Sequence, residues 1–381
     1  MTTPQPTHVA VIGGGIFGVS TAAQLARRGM RVTLLTEGAL ASGASGRSLA
    51  WLNSAGVRSP EYHALRVAGI DRYRTWGARV PGSDAYLRFT GGLTWASEGD
   101  SFADTFAYER SIGYDALWLS ADEIAGTTPG VDAAAVATEG AIFNPGEGWV
   151  DLPSIIDVLT AELVELGGTV VTDAGDVQTL VDDSRVTGVA TGTGERIDAD
   201  AVVLATGPSV PEHLARLGVT VETQSPAAFV AFTRPVETEL VAVLNTPRVA
   251  VRRTTDGGLA LDSAWSEEEI EVTASGELVV HDSTVERLLE EGSRVLAGHP
   301  PLELHHVGAG YKPIPGDGEP VIGAVEAIGG LYAAFSHSGA TLGLITGELL
   351  AEEIVTGSPS RLLATFRPER FARDEALTSA R

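Results

Sequence analysis

The chain has 381 residues, 44% of them hydrophobic and 20% charged, with a formal net charge of −24. That composition describes a folded chain long enough for two domains and excludes an intrinsically disordered one. The acidic balance disfavours nucleic acid and anionic membranes as partners. There are no cysteines, which excludes disulfides, thiolate nucleophiles, iron–sulfur clusters and a cysteinyl cofactor link. The N-terminus lacks a basic n-region and a long apolar stretch, so the expected location is the cytoplasm, with no membrane span.

The first elements read as a β–α–β unit. Residues 9–12 form a short apolar run of buried-strand type, followed by Gly13, Gly15 and Gly18 in a G-x-G-x-x-G pattern. Apolar residues at helical spacing follow, Gly29 stands where the helix should end, and residues 32–35 form a second apolar run. The chemistry asks for these residue types. Gly13 allows the tight turn, Gly15 lets backbone N–H groups reach a pyrophosphate, and Gly18 lets helix and strand pack closely, while the helix N-terminus attracts the phosphate charge. Gly14 and Ile16 belong to the same turn. An acid that binds ribose is expected at the end of the second strand; Thr36 stands there, with Glu37 next to it.

A nicotinamide-binding unit would continue into a helix and a third strand. Here a Ser/Gly loop at 42–48 follows instead, then "SLAWLN". Loops of this length inside an α/β domain tend to be functional. Further on, 153–166 reads as a helix, with strands from 169 and over 201–205, the latter ending at Thr206-Gly207. "LRFTGGLTWAS" and "RVAVRRTTDGGLALDS" alternate as strands do, the second around a turn at Asp256. "SEEEIE" at 266–271 reads as a solvated acidic helix start, and His305-His306 as a bare pair on a strand or loop. No cluster has metal-ligand spacing. In "GYKPIPGDGEPVIG" stands Lys312, the only lysine of the chain, and a strand, a Ser/Gly turn and a helix follow at 329–357.

Taken in order, "VIGGGIFG", "GWVDLP", "VVLATG", "GYKPIPGDGEPVIG" and "FSHSGATLGLITGELLAEEI" resemble the D-amino acid oxidase family of flavoproteins, which includes glycine oxidase, sarcosine oxidase and bacterial D-amino acid dehydrogenases. The resemblance spans residues 8–354. It implies an α/β fold: a glutathione-reductase-type FAD-binding Rossmann domain from 1–80, 145–220 and 306–381, and a mainly antiparallel β substrate domain from 81–144 and 221–305. It also implies non-covalent FAD. The N(5) of the flavin would take a hydride from the carbon next to nitrogen in a small amino acid or N-substituted glycine, and the resulting imine would hydrolyse. Oxygen is the expected acceptor, with peroxide formed. A dehydrogenase that passes electrons to a quinone or carrier is the alternative, and a non-catalytic flavin-binding protein is another.

For the cofactor, the resemblance points to Gly13, Gly14, Gly15 and Ile16 at the pyrophosphate, and to Ser42, Ser45, Gly46, Arg47 and Ser48 along the ribityl chain. It places Val177 at the adenine, and Thr206, Gly207, Gly339, Ala340, Thr341 and Leu342 around the flavin. For the substrate it singles out Lys312, which stands where the family carries an arginine in G-x-R-P, together with His337, Tyr311 and Trp51. One of the adjacent Arg252 and Arg253 is expected to add a second cation, since neighbours on a strand point to opposite faces.

Overall fold

The computed structural model describes residues 7–372. Its first layer is a six-stranded sheet in the order Val321–Ala324, Leu331–Phe335, Ala201–Leu204, His8–Ile12, Arg31–Leu35, Thr169–Val171. All neighbours pair in parallel except Val321–Ala324, which runs antiparallel at the edge. The central strand shows why these residues read as a continuous apolar run. Val9 and Val11 point into a core shared with the helices Ile16–Arg27, Pro60–Gly77, Leu152–Glu165 and Gly339–Thr356. Ala10 and Ile12 point the other way, into a core covered by the three-stranded sheet of Gln178–Asp182, Arg185–Ala190 and Arg196–Asp198 and by the helix Val210–Arg216. A parallel strand buried on both faces has no polar side to alternate with.

The second layer is an eight-stranded sheet in the order Leu304–Tyr311, Ala227–Thr233, Leu259–Asp262, Ala250–Arg253, Val243–Asn245, Gly92–Thr94, Ala141–Asn144, Leu117–Leu119. It is antiparallel throughout apart from the pairing of Val243–Asn245 with Gly92–Thr94. One face packs against the amphipathic helix Asp282–Arg294 through Val285 and Leu288. On the other face, Val230, Ala250 and Ala260 gather with Leu49 and Trp149 into a small apolar cluster. The chain crosses between the layers after Tyr311. The crossing expected at 306 therefore falls inside the strand Leu304–Tyr311, whose pairing with Ala227–Thr233 carries it into the eight-stranded sheet.

The glycine pattern at the start has the physical basis anticipated for it. Gly13 has φ +124°, and a Cβ there would lie 2.2 Å from the carbonyl oxygen of Ala205. A Cβ on Gly18 would lie 1.9 Å from the Gly13 oxygen, so no other residue lets helix and turn approach this closely. The helix Ile16–Arg27 in turn crosses the helix Gly339–Thr356. Gly343 lies against Ile16 and Gly347 against Ser20, and a Cβ at either would stand within 2.5 Å of a side-chain atom of the first helix.

Candidate active site

The strand His8–Ile12 delivers the chain to a turn, and the helix Ile16–Arg27 begins directly on the far side of it. The first N–H groups of a helix have no partner inside it, so this end presents donors and a partial positive charge. A cavity of about 420 Å³ opens there, lined by Gly13, Gly14, Gly15, Ile16, Thr36, Glu37, Ser42, Ser45, Val177, Thr206 and Gly207, among others. The Ile16 N–H donates to Ser45 Oγ at 3.1 Å, which ties the Ser/Gly loop to the helix start. The Ala41 N–H donates to the Gly14 oxygen at 3.0 Å, and Ala41 itself has φ +56°. Ala50, at the end of the same loop, has φ +51°. Left-handed alanines are strained, and two of them bracketing one loop show that its path is imposed from outside.

Thr36 is buried with its side chain against Gly14, and the exposed Glu37 lines the cavity beside it. Thr206 Oγ1 is buried on the wall and has no hydrogen-bond partner among the described residues. A Cβ on Gly14 would stand 2.8 Å from Thr36 Oγ1, and one on Gly15 would stand 3.2 Å from Ser45 Oγ. The turn is therefore a bare-backbone cradle with an orphaned hydroxyl facing it, which suits a pyrophosphate with sugars on either side.

A second cavity, of about 830 Å³, continues from the first and shares Ile16, Ser45, Thr206, Pro313 and Gly339 with it. It lies between the two large sheets. Its wall includes Arg47, Ser48, Trp51, Arg58, Arg66, Asp262, Glu267, Tyr311, Lys312, His337, Gly339, Ala340 and Thr341. The 18-residue helix Gly339–Thr356 points its N-terminus into this space. Thr341 Oγ1 donates to the Trp51 oxygen at 3.2 Å and accepts from the Asn53 N–H at 3.3 Å, so the helix start and the strand Trp51–Leu52 hold each other.

Several expected residues lie elsewhere. Arg252 is buried outside the cavity wall. It donates through Nε to the Leu49 oxygen and through a terminal nitrogen to the Arg253 oxygen at 2.7 Å, over the Trp149 ring. It braces the wall from behind, and burial lowers its pKa to about 10, which leaves it charged at neutral pH. Arg253 turns to the Thr238 oxygen at 2.7 Å, so neither arginine faces the site. Gly46 lines neither cavity; a Cβ there would strike the Ala41 oxygen at 2.4 Å, and its place is in the loop's own turn. Leu342 has turned past the helix tip into the core at 0% exposure. Gly18 also lies off the cavities, beneath the turn, where its packing was anticipated. Arg47 lines the larger cavity, with a guanidinium nitrogen 2.6 Å from the Ala309 oxygen.

Lys312 faces the larger cavity, but its ammonium is held at 2.6 Å by Glu267. Glu267 belongs to the stretch read as solvated; its side chain is 13% exposed and sits in the wall instead. Burial raises the Glu267 pKa, against the pull of Lys312. Burial also pushes Asp262 up to about 6, again opposed by Lys312. His337 projects into the cavity. It is open to solvent there yet ringed by protein, and this enclosure, with Lys312, Arg66 and Arg58 nearby, pushes its pKa down to about 4.

Arg58, just ahead of the N-cap Ser59 of the helix Pro60–Gly77, and Arg66, about two turns inside it, carry no motif and were missed by sequence reasoning. Arg66 is 3% exposed and fully engaged. It donates to the Asn53 oxygen at 2.9 Å, to Asn53 Oδ1 at 2.6 Å and to Ser338 Oγ. Behind the turn 53–56, Glu147 is 0% exposed. Its Oε1 accepts from the N–H groups of Ser54 and Ala55 and from the Tyr114 hydroxyl. Burial pushes Glu147 up to about 7.

A two-layer flavoprotein architecture, with a dinucleotide cradle opening into a cavity between sheets, thus defines an FAD-dependent oxidoreductase. The family model described as "FAD dependent oxidoreductase" (DAO) matches residues 8–353, and the chain belongs to that family. FAD is its cofactor. The chain is 26% identical over 379 residues to a glycine oxidase of Geobacillus kaustophilus strain HTA426, covering 94% of this chain and 95% of the relative. It is 27% identical over 437 residues to a D-amino acid dehydrogenase of Methylobacterium sp. strain 4-46, covering 96% and 99%. The crystal structure of glycine oxidase from Geobacillus kaustophilus superposes with a TM-score of 0.78 at 22% identity, over 97% of this chain and 99% of that one. Among the described residues no helix is long and apolar enough to cross a membrane.

Proposed function

We propose that the protein oxidises the C–N bond of a small amino acid or N-substituted glycine, with oxygen as the acceptor and hydrogen peroxide as a product. The observation that carries this reading is the continuity of the two cavities, which runs from the candidate phosphate cradle to a partly open space lined by Trp51, Arg58, Tyr311, Lys312 and His337. The names of the relatives, glycine oxidase and D-amino acid dehydrogenase, support an amino acid as substrate.

Gly14 and Gly15 would offer the pyrophosphate their backbone N–H groups, with Gly13, whose N–H goes to the Leu35 oxygen, and Ile16, whose N–H goes to Ser45 Oγ, shaping the turn around it; Glu37 would receive the adenosine ribose and Val177 the adenine. Ser42, Ser45, Arg47 and Ser48 would follow the ribityl chain, with Thr206 and Gly207 opposite. Bound FAD supplies the two-electron acceptor that amino-acid side chains lack. The remaining work is positioning. Gly339, Ala340 and Thr341 offer helix N-terminal donors where negative charge collects. Trp51 and Leu49 close the cavity on the side of the loop and exclude water. His337 stays neutral at physiological pH and serves as a hydrogen-bond partner, not as a cation. Lys312, anchored by Glu267, keeps a fixed ammonium at the wall, where it favours reduction of oxygen. The imine product hydrolyses once it reaches water.

The test is an anaerobic screen of amino acids and secondary amines for bleaching of the flavin absorbance, followed by peroxide measurement in air. A holoprotein bleached by no amine or amino acid overturns the reading. Turnover only with an artificial acceptor would assign the dehydrogenase alternative instead.

A further inference from the structure

We propose that the carboxylate of the substrate is bound by Arg58, and that Lys312 does not bind it. The inference rests on the functional reading above and names the residue that fixes one end of the substrate.

The two cations differ in what they already hold. The Lys312 ammonium is paired at 2.6 Å with Glu267, and Asp262 lies close enough for the two groups to influence each other. That end of the cavity carries two carboxylates against one ammonium. A carboxylate arriving there would have to displace Glu267 from a half-buried pair, with Asp262 repelling it. Arg58 forms no ion pair among the described residues, and its Nε is buried without a hydrogen-bond partner. Its guanidinium stands 5.7 Å over the Tyr62 ring, which orients it without consuming a donor. Arg66 beside it adds like charge, but its nitrogens are committed to Asn53 and Ser338. Of the nearby carboxylates, Glu109 and one oxygen of Glu147 are committed, while Glu147 Oε2 is buried against Gly92 with no partner among the described residues. Glu147 Oε1 takes the Ser54 and Ala55 N–H groups and the Tyr114 hydroxyl. Glu109 takes the Gly56 N–H at 2.7 Å and the Asn144 amide at 2.8 Å. Arg58 is lowered to about 10 by burial and by Arg66, and so remains charged at neutral pH.

A cation that lines a substrate cavity with an unused donor lacks a partner that its surroundings do not supply. A carboxylate provides two acceptor oxygens in the geometry of the guanidinium fork. His337 lines the same cavity as Arg58 and Lys312 and is close enough to be influenced by both. With the carboxylate on Arg58, the rest of the substrate extends towards Asp262 and Glu267. The substrate class is therefore a monocarboxylic amino acid whose far end is neutral or basic; a second carboxylate would meet like charge.

The experiment titrates yellow holoprotein with benzoate and, separately, with its neutral isostere benzamide, following the shift of the flavin spectrum. Wild type should bind benzoate at least tenfold more tightly than benzamide. Arg58→Met should lose at least tenfold in benzoate affinity with FAD stoichiometry unchanged, since Arg58 makes no side-chain hydrogen bond that folding would miss. Arg58→Lys, which keeps the charge without the fork, should fall between them. Lys312→Met should stay within threefold of wild type. Loss of benzoate binding in Lys312→Met with Arg58→Met unaffected overturns the assignment, as does a wild type that fails to prefer benzoate. Faster anaerobic reduction by glutamate than by alanine or lysine overturns the substrate class. These results are separable from failure of the functional reading: benzoate binding that depends on Arg58 in a protein bleached by no amine would leave the anion site standing and remove the oxidation.

Discussion

Substitution at Gly15 is expected to grade the affinity for FAD by side-chain size. An alanine Cβ would lie 3.2 Å from Ser45 Oγ, so the hydroxyl must retreat by a few tenths of an ångström. That oxygen accepts the Ile16 N–H at 3.1 Å, and the retreat strains or breaks this bond. A lost hydrogen bond of this kind costs about 1 kcal/mol, or about fivefold in the dissociation constant. Ser45→Ala, which removes the acceptor without adding a group, should lose a comparable amount. Gly15→Leu places further carbons in the space that the pyrophosphate would occupy. The loss should exceed about 3 kcal/mol, or more than about a hundredfold. The assay strips FAD by dialysis against concentrated bromide and titrates it back, following the quenching of flavin fluorescence. Circular dichroism of each apoprotein shows that the fold survives. A yellow, fully occupied Gly15→Leu protein would refute the reasoning, because the pyrophosphate would then lie elsewhere.

Two further outcomes follow from buried ionisable groups. Glu147 has its pKa raised from 4.5 to about 7 by burial, so the folded state holds a proton that the unfolded chain releases, and stability is lost as pH rises from about 4.5 through 7. Glu147→Gln removes this term, so its Tm relative to wild type should rise between pH 5 and pH 8; a difference independent of pH would contradict the burial argument. His337 is lowered from 6.5 to about 4, so it is neutral when folded and opposes folding only as pH falls from 6.5 towards 4. The rate-versus-pH profile of wild type between pH 5.5 and 8 should therefore contain no ionisation that His337→Gln abolishes.

The candidate cofactor cradle was the more legible half of the proposed site, because such chemistry would demand backbone without side chains, and glycine is the one residue that announces this. Gly13, Gly15 and Gly18 stand at fixed offsets after a strand, and the contacts that a Cβ would make there explain each of them. The substrate half was legible only where a residue was unusual. The lone lysine lines the larger cavity, but nothing near it in sequence announced Glu267, which arrives from 45 residues away. Arg58, just ahead of an ordinary helix, and Arg66, about two turns inside it, are two arginines among many, and what distinguishes them is tertiary: Arg66 is engaged by Asn53 and Ser338, whereas Arg58 stands over the Tyr62 ring with no ion pair among the described residues. Arg252 was misplaced because strand alternation says that two faces exist without saying which one borders the cavity; here its face leads under Leu49 and Trp149. Leu342 shows the same limit on a helix. The first residues, from Gly339 to Thr341, reach the site, and one more step of the helical turn brings the side chain into the core.

The close crossing of the helices Ile16–Arg27 and Gly339–Thr356 ties the turn to remote parts of the chain. Gly343 and Gly347 lie more than three hundred residues beyond the turn they pack behind, and contacts of such sequence separation form slowly. The sheet neighbour Leu331–Phe335, without which Ala201–Leu204 is an open edge, is equally distant in sequence from that turn. A bulky residue at Gly347 should therefore disturb the candidate cradle from behind, with no atom of its own in the cavity.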